Sequence, residues 1–512
     1  MRTILLLACG AVGPIARPPA APAADAPKRP NVLLVYTDDQ SYKTLGCYPE
    51  SWPWVRTPNI DALAAAGVRF HGAYLGAWCM PSRASLLTGR QPHGVESMRM
   101  EGKYPGSAYD PKQCPFWPAV FRKSGYHTAH IGKWHTGTDA GFGRDWDHQI
   151  VWNRPKFPGN AGAYYEKQTL EINGVEKQVE GYPADHYSKW AVEYVKGANR
   201  DKDKPWFLWL CYGSVHGPSK PAARHLGRYK DARVPEPADL LGPWPGKPEY
   251  LKDTFAWRKD KGGRVVAGSN GEKIGDGAGE RGTTYADWVR QVNECVPAID
   301  EGVGQLIGAL KETGQLENTL VVFTADQGFA MGEHGMRMKI APYDASYRSP
   351  LIAFMPGTVA AGKACPHVAT APDLVSTFFS LAGVRPPADL HGRDLTPLLK
   401  NPAAEWPHAC LYEHTGEHFG SDVAKLLKDD PKRAIYQKVP WYTAIVQGGW
   451  KYVRYLQPGV PDEVYDLNTD PNEMKNLAGA AAHAGRGAEL RAALAAELTR
   501  TSAPAELLPP GR

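Results

Sequence analysis

Two short acid-bearing segments each follow a run of apolar, strand-like residues. Asn31–Thr37 leads into Asp38-Asp39-Gln40, and residues 319–324 lead into Asp326-Gln327-Gly328. In open α/β sheets ligands gather at the carboxyl ends of the strands, so both segments are expected at one crevice. Three carboxylates and an amide oxygen brought together there repel one another unless a cation lies among them. Oxygen-only ligands favour a hard divalent ion, Ca²⁺ or Mg²⁺, over Zn²⁺. Either acid pair alone reads as well as a set of helix N-caps. The two together read as a metal site made by Asp38, Asp39, Asp326 and Gln327.

A second constellation is Cys79-Met80-Pro81-Ser82-Arg83, followed by Thr88-Gly89-Arg90. Pro81 suits the first turn of a helix and Gly89 its stop. Cys79 then lies at a helix N-terminus, where free N–H groups and the helix dipole favour an anion. Arg83, four residues on, falls one turn away on the same face. A thiol, a guanidinium and a helix start together suit an oxyanion such as sulfate or phosphate. An ordinary buried thiol beside a helix start has the same local pattern.

Cys79-x-Pro81-Ser82-Arg83 with Thr88-Gly89-Arg90 resembles the signature of the type I sulfatases, members of the alkaline-phosphatase-like superfamily. Supporting motifs follow in that family's order: Asp38-Asp39, Gly132-Lys133-Trp134-His135, His216-Gly217-Pro218, Asp326-Gln327-Gly328, Lys339, and Tyr465-Asp466 with Asn476-Leu477. The resemblance covers roughly residues 29–477. It implies that a formylglycine-generating or anaerobic maturase oxidises Cys79 to formylglycine, whose hydrate attacks the sulfur of a sulfate ester. Collapse to the aldehyde then releases sulfate. One Ca²⁺ would be held by Asp38, Asp39, Asp326, Gln327 and the modified side chain at Cys79, with Asp326 also taking a proton. Arg83 and Lys133 would hold the formylglycine, and His135 its second hydroxyl. His216 and Lys339 would contact the sulfate, with His216 protonating the leaving alcohol because imidazole titrates nearest neutral pH. Gln327 departs from the Asn or His often found in its place, though an amide oxygen can still bind the metal. A formylglycine-dependent phosphonate or phosphate ester hydrolase on the same scaffold is the alternative.

These residues need rigid elements to carry them. Residues 127–132, 206–212 and 350–355 also read as strands, and residues 57–66 and 285–313 as helices. Alternating strands and helices predict a mainly parallel sheet with helices on both faces. Residues 146–187 and 225–284, rich in Gly, Pro, Trp and Lys, read as long loops, and Trp146, Asp147, His148, Trp152 and Arg154, with His93 and Arg99, as a sugar-binding rim. Shorter strand-like pieces after residue 401 predict a small α+β subdomain with a short antiparallel sheet, ending in a helix over 478–500. The expected division is a signal peptide at 1–24, a catalytic domain at 29–400, the C-terminal subdomain at 401–502 and a tail at 503–512.

The bulk numbers constrain partners weakly. The chain has 512 residues, 59 Lys and Arg against 54 Asp and Glu, and 43% hydrophobic residues, which excludes wholesale disorder. A net charge of +5 gives no case for nucleic acid. A basic start, a short apolar run and Ala21-Pro22-Ala23 read as a secretory signal, and no stretch is long enough to span a membrane. Export to the periplasm or outside the cell follows; a lipoprotein box at Leu6-Leu7-Ala8-Cys9 would instead anchor the chain through Cys9. Setting Cys9 and Cys79 aside leaves six cysteines whose pairing is open.

Overall fold

The computed structural model describes residues 28–96, 98–99, 108–110, 112–268, 284–387 and 389–509; the signal peptide and Cys9 lie outside them. The strand Asn31–Thr37 is buried along its whole length. A strand covered on both faces carries a continuous apolar run, and here alternate residues feed two cores. Leu33 and Val35 pack with the helices Pro58–Ala66, Pro183–Val195 and Tyr285–Glu312. Val32 and Leu34 pack on the other face with Cys79–Thr88, Pro118–Lys123 and Ala371–Ala382.

Asn31–Thr37 pairs in parallel with Thr319–Ala325 on one side and Trp206–Cys211 on the other. His127–Lys133 and then His148–Trp152 continue the parallel centre. Leu351–Phe354 and Val68–Tyr74 extend one side by antiparallel pairing, and Lys363–Thr370 closes it; with the hairpin Gln168–Ile172 and Val175–Val179 on the other side, the whole sheet has ten strands. The expected α/β fold is borne out.

The loop expected over 146–187 is not one. His148–Trp152 is a buried strand, and Gln168–Ile172 and Val175–Val179 form a hairpin on the sheet's far side. Asn173 and Gly174 turn that hairpin with φ of 48° and 83°, the left-handed pair that a two-residue turn requires. Between 225 and 268 the chain is mostly irregular, with a short hairpin of Trp257–Lys259 and Val265–Ala267.

The C-terminal part carries a four-stranded antiparallel sheet of Cys410–His414, Tyr442–Gln447, Trp450–Tyr455 and Glu463–Asp466, in that order. Its two faces differ in chemistry. Leu411, Ile445, Tyr452 and Val464 pack on Leu490, Leu494 and Leu498 of the helix Ala484–Arg500. By strand alternation Tyr412, Tyr442, Lys451, Tyr455, Glu463 and Tyr465 share the opposite face, which is buried against the larger part of the molecule. Among the described residues no two cysteines are joined in a disulfide.

Candidate active site

The parallel register of the two acid-tipped strands, Thr37 opposite Ala325, brings Asp38-Asp39 and Asp326-Gln327 side by side. Asp39 takes a left-handed φ of 55°, tolerable for a short polar side chain. Its amide and that of Gln327 both donate to Asp326 Oδ1, each at 3.0 Å. The Asp38 amide donates to the Ser214 carbonyl at 3.0 Å, which ties the segment bearing His216 to the first strand. Cys79 is the first residue of a helix buried from end to end, stopped by a left-handed Gly89 whose amide bonds back to Ser85. Lys133 ends the strand His127–Lys133 of the parallel centre. Just before it, a Cβ on Gly132 would fall 1.9 Å from the Cys211 carbonyl oxygen, so only glycine fits.

Asp38, Asp39, Cys79 and His216 present ligand atoms that all lie within 4.8 Å of one another. Cys79 Sγ is 3.3 Å from Asp38 Oδ1 and 3.2 Å from Lys339 Nζ. Lys339 Nζ also donates to Asp39 Oδ1 at 2.7 Å, and Lys133 pairs with Asp38. Arg83 donates one nitrogen to Asp326 Oδ2 at 3.0 Å and another to the Lys133 carbonyl at 2.9 Å. His216 Nε2 faces Asp39 Oδ2 at 3.6 Å, while its Nδ1 lies 2.8 Å from the Gly217 carbonyl, which selects the Nδ1–H tautomer.

Gln327 bears on the metal. Its amide nitrogen lies against Asp39, while its buried Oε1 has no hydrogen-bond partner. Turning the amide would set the oxygen against the Asp39 carboxylate, an arrangement that only a cation between them makes favourable. Three buried carboxylates and an amide oxygen of this kind fit a hard divalent ion.

The charges are strongly coupled. Burial would raise Asp38, but Lys133, ahead of His216 and Arg83, holds it well below the usual carboxylate range. Burial and then the charge of Asp38 push Asp326 up to about 7. Burial and the Asp38 charge push the Cys79 thiol up to about 12, so the unmodified side chain is no thiolate at neutral pH. Burial also pulls His216 down to about 4 and His135 well below its ordinary value, whereas Asp39 holds Lys339 protonated against the effect of burial.

All ten residues singled out in the sequence thus belong to one buried neighbourhood. Nine are joined by the contacts above. His135, in a left-handed turn at φ 63°, stands beside Trp78 with ring centres 6.4 Å apart and feels Lys133, Arg83 and Asp38. One neighbour was missed. The Tyr164 ring stacks on His216 at 4.1 Å, and its hydroxyl lies 3.4 Å from Lys133 Nζ; a Gly- and Tyr-rich stretch gives no signal for that.

The sugar rim is largely overturned. Trp146 and Trp152 are core residues with no exposure, and His148 is buried in a strand. Asp147 pairs with Arg122, and His93 is sealed between Glu413 and the Thr501 carbonyl. Of that set Arg154 reaches the site through the Tyr164 hydroxyl, and the buried Trp152 packs edge-on against the Tyr164 ring at 4.6 Å; the Arg99 side chain lies outside the described ones.

Comparison with known proteins agrees with this geometry. The Sulfatase family model matches residues 30–384, and the model described as N-sulphoglucosamine sulphohydrolase, C-terminal, matches residues 332–502. The chain belongs to the sulfatase family and is a sulfuric ester hydrolase. It is 30% identical to an N-acetylglucosamine-6-O-sulfatase of Bacteroides thetaiotaomicron, over 92% of this chain and 86% of that protein. It is 27% identical to an arylsulfatase of Clostridium perfringens, over 92% and 94% respectively. A solved structure in complex with its substrate D-glucosamine-2-N,6-O-disulfate superposes with a TM-score of 0.76 at 26% identity, covering 93% of this chain and 98% of that one. The phosphonate monoester hydrolase of Agrobacterium radiobacter shares the fold at TM-score 0.66 and 21% identity, over 92% and 96%.

Proposed function

We propose that the protein cleaves sulfate esters of a sulfated carbohydrate, with 6-O-sulfated N-acetylglucosamine the first substrate to test. The observation that supports this most is Cys79 Sγ at a helix start, 3.3 Å from Asp38 and 3.2 Å from Lys339, with a stacked histidine alongside. In this reading residues 29–400 carry the chemistry and residues 401–502 buttress it. The first 24 residues direct export to the periplasm or beyond. Among the described residues no helix is long and apolar enough to cross a membrane.

Asp38, Asp39, Asp326 and Gln327 would hold one Ca²⁺, which when bound favours an ionised oxygen nucleophile and offsets the charge of the sulfate. Formylglycine at Cys79, installed by a maturase, supplies the hydroxyl nucleophile and, as the aldehyde, an exit for sulfate that a serine lacks. The remaining residues set the stage. Arg83 fixes Asp326 and the Lys133 carbonyl, so that the acid and the lysine share one rigid frame. Asp326, held by Arg83 beside Asp38, is the carboxylate that takes the proton of the attacking hydroxyl in this reading. Lys133 and Lys339 bring fixed positive charge to the sulfate oxygens. Tyr164 and the Gly217 carbonyl orient the His216 ring, so a proton arriving on Nε2 is aimed at the leaving oxygen. The anionic substrate itself favours that proton, against the burial that otherwise keeps the ring neutral.

Assays with N-acetylglucosamine-6-O-sulfate, other defined sulfated sugars, 4-nitrophenyl sulfate and a phosphonate monoester test this reading. Sulfate release from a sugar is expected to dominate. Activity confined to the aryl ester would remove the carbohydrate reading, and faster cleavage of the phosphonate would favour the alternative hydrolase.

A further inference from the structure

Ile340 immediately follows Lys339 and adopts φ of 88°. A β-branched residue is among the least tolerant of positive φ, where its branched Cβ crowds the backbone. Such a conformation persists only where the surroundings over-determine it. Here they do. Tyr442 donates its hydroxyl to the Ile340 carbonyl at 2.5 Å. The next carbonyl, Ala341, accepts from Ser346 Oγ at 2.9 Å, and the one after, Pro342, accepts from Tyr412 at 2.8 Å and Lys451 Nζ at 3.2 Å. On the other side of Lys339 the Met338 carbonyl accepts the Ala330 amide at 2.9 Å.

The three clamping side chains Tyr412, Tyr442 and Lys451 sit on three adjacent strands of the C-terminal sheet, on the polar face that its antiparallel register defines. That face directs two buried hydroxyls and an ammonium at two main-chain carbonyls, those of Ile340 and Pro342. A sheet that merely covered the larger domain would meet it with apolar residues. The Lys339 ammonium that this segment carries sits 2.7 Å from Asp39 and 3.2 Å from Cys79 Sγ.

We infer that the C-terminal sheet places Lys339 for the reaction, with Tyr442 as a positioning residue that holds Ile340 in its left-handed turn. The inference rests on the proposed catalytic reading of Lys339. Tyr442 acts through Lys339 and does not touch substrate.

A double-mutant cycle on kcat tests it, using 4-nitrophenyl sulfate and the matured enzyme. Tyr442→Phe is expected to lower kcat about 10-fold, more than it changes KM, yet less than 2-fold when Lys339→Ala is already present. Equal losses in both backgrounds, or none in the first, would overturn the inference. A wild type inactive on this ester and on the sulfated sugars alike would instead sink the proposed catalytic reading. A crystal structure of Tyr442→Phe then decides independently of activity: the inference expects Ile340 at negative φ and Lys339 away from Asp39, and an unmoved segment contradicts it. If Tyr442→Phe does not fold, Tyr442→Phe/Ile340→Gly is expected to fold, since glycine accepts this φ freely. Failure of both to fold would make Tyr442 a plain core residue and overturn the inference.

Discussion

Two clusters bury carboxylates against lysines in this molecule, one beneath the helix that starts at Cys79 and one beneath the C-terminal sheet. In the second, Lys451 Nζ reaches Asp344 and Glu473 at 2.6 Å each and the Pro342 carbonyl at 3.2 Å, one acceptor for each ammonium proton. Glu473 accepts the Asp344 amide at 2.6 Å, and the nearby Glu463 accepts hydroxyls from Tyr343, Tyr455 and Tyr465. The first cluster is finished differently. There Gln327 Oε1 is buried without a hydrogen-bond partner, whereas burial pushes Asp326 and Glu473 alike up to about 7. Burial of charge alone therefore does not mark a reactive site. What marks it is an acceptor oxygen that the protein itself leaves unused.

The largest effect that would sharpen this contrast is at Cys79. Cys79→Ser is expected to lower multiple-turnover kcat by at least about 10⁴-fold, as loss of a covalent nucleophile does, while the melting temperature barely moves. Lys451→Met should show its main effect in stability. It leaves Asp344 and Glu473 buried without their counter-charge, so denaturant unfolding is expected to show a loss of about 3–5 kcal/mol. A loss below about 1 kcal/mol would mean that the second cluster is not structural in the sense argued.

Within the first cluster, His216→Ala should discriminate between leaving groups. A loss of about 10²–10³-fold is expected on a sugar sulfate, whose alkoxide needs a proton. A much smaller loss is expected on 4-nitrophenyl sulfate, and equal losses on both would deny His216 the role of acid. Calcium should stabilise only the first cluster. At a free Ca²⁺ of about 100 times its Kd, unfolding should require roughly 2.7 kcal/mol more than in a chelator, in wild type and Lys451→Met alike.

The smallest predicted effect concerns the link between the two parts. Burial opposes the charge on His93, but Glu413 raises its pKa above 6.5. A raised folded pKa contributes stability that is fully present below the unfolded value and is lost as pH rises through the folded one. The melting-temperature advantage of wild type over His93→Gln should therefore be greatest near about pH 5.5 and shrink toward about pH 8. An advantage that grows with pH would reverse the assignment of charge.

Much of the first cluster was legible in the sequence because its residues stand where apolar runs stop. Asp38 and Asp326 follow strands with near-continuous apolar runs that are buried throughout, and Pro81 and Gly89 mark the first turn and the stop of the helix that begins at Cys79. The second cluster was not legible. Its sheet is buried on both faces yet polar on one, so Tyr442 and Lys451 read as a solvated face by alternation alone. The hairpin around Asn173-Gly174 carried a clear turn signal that the surrounding Gly, Pro and Lys obscured. Trp146 and Trp152 were misplaced for another reason: a sequence shows that an aromatic residue lies near a turn, but not which side of the sheet it enters.

The central claim is that residue 79 works as an aldehyde rather than as a thiol. Mass spectrometry of the peptide spanning Cys79, from catalytically active protein made with a maturase, tests it most directly. The formylglycine peptide, reactive toward a carbonyl-specific hydrazine, is expected in proportion to specific activity. Full activity from protein in which that peptide carries only an intact cysteine would contradict it.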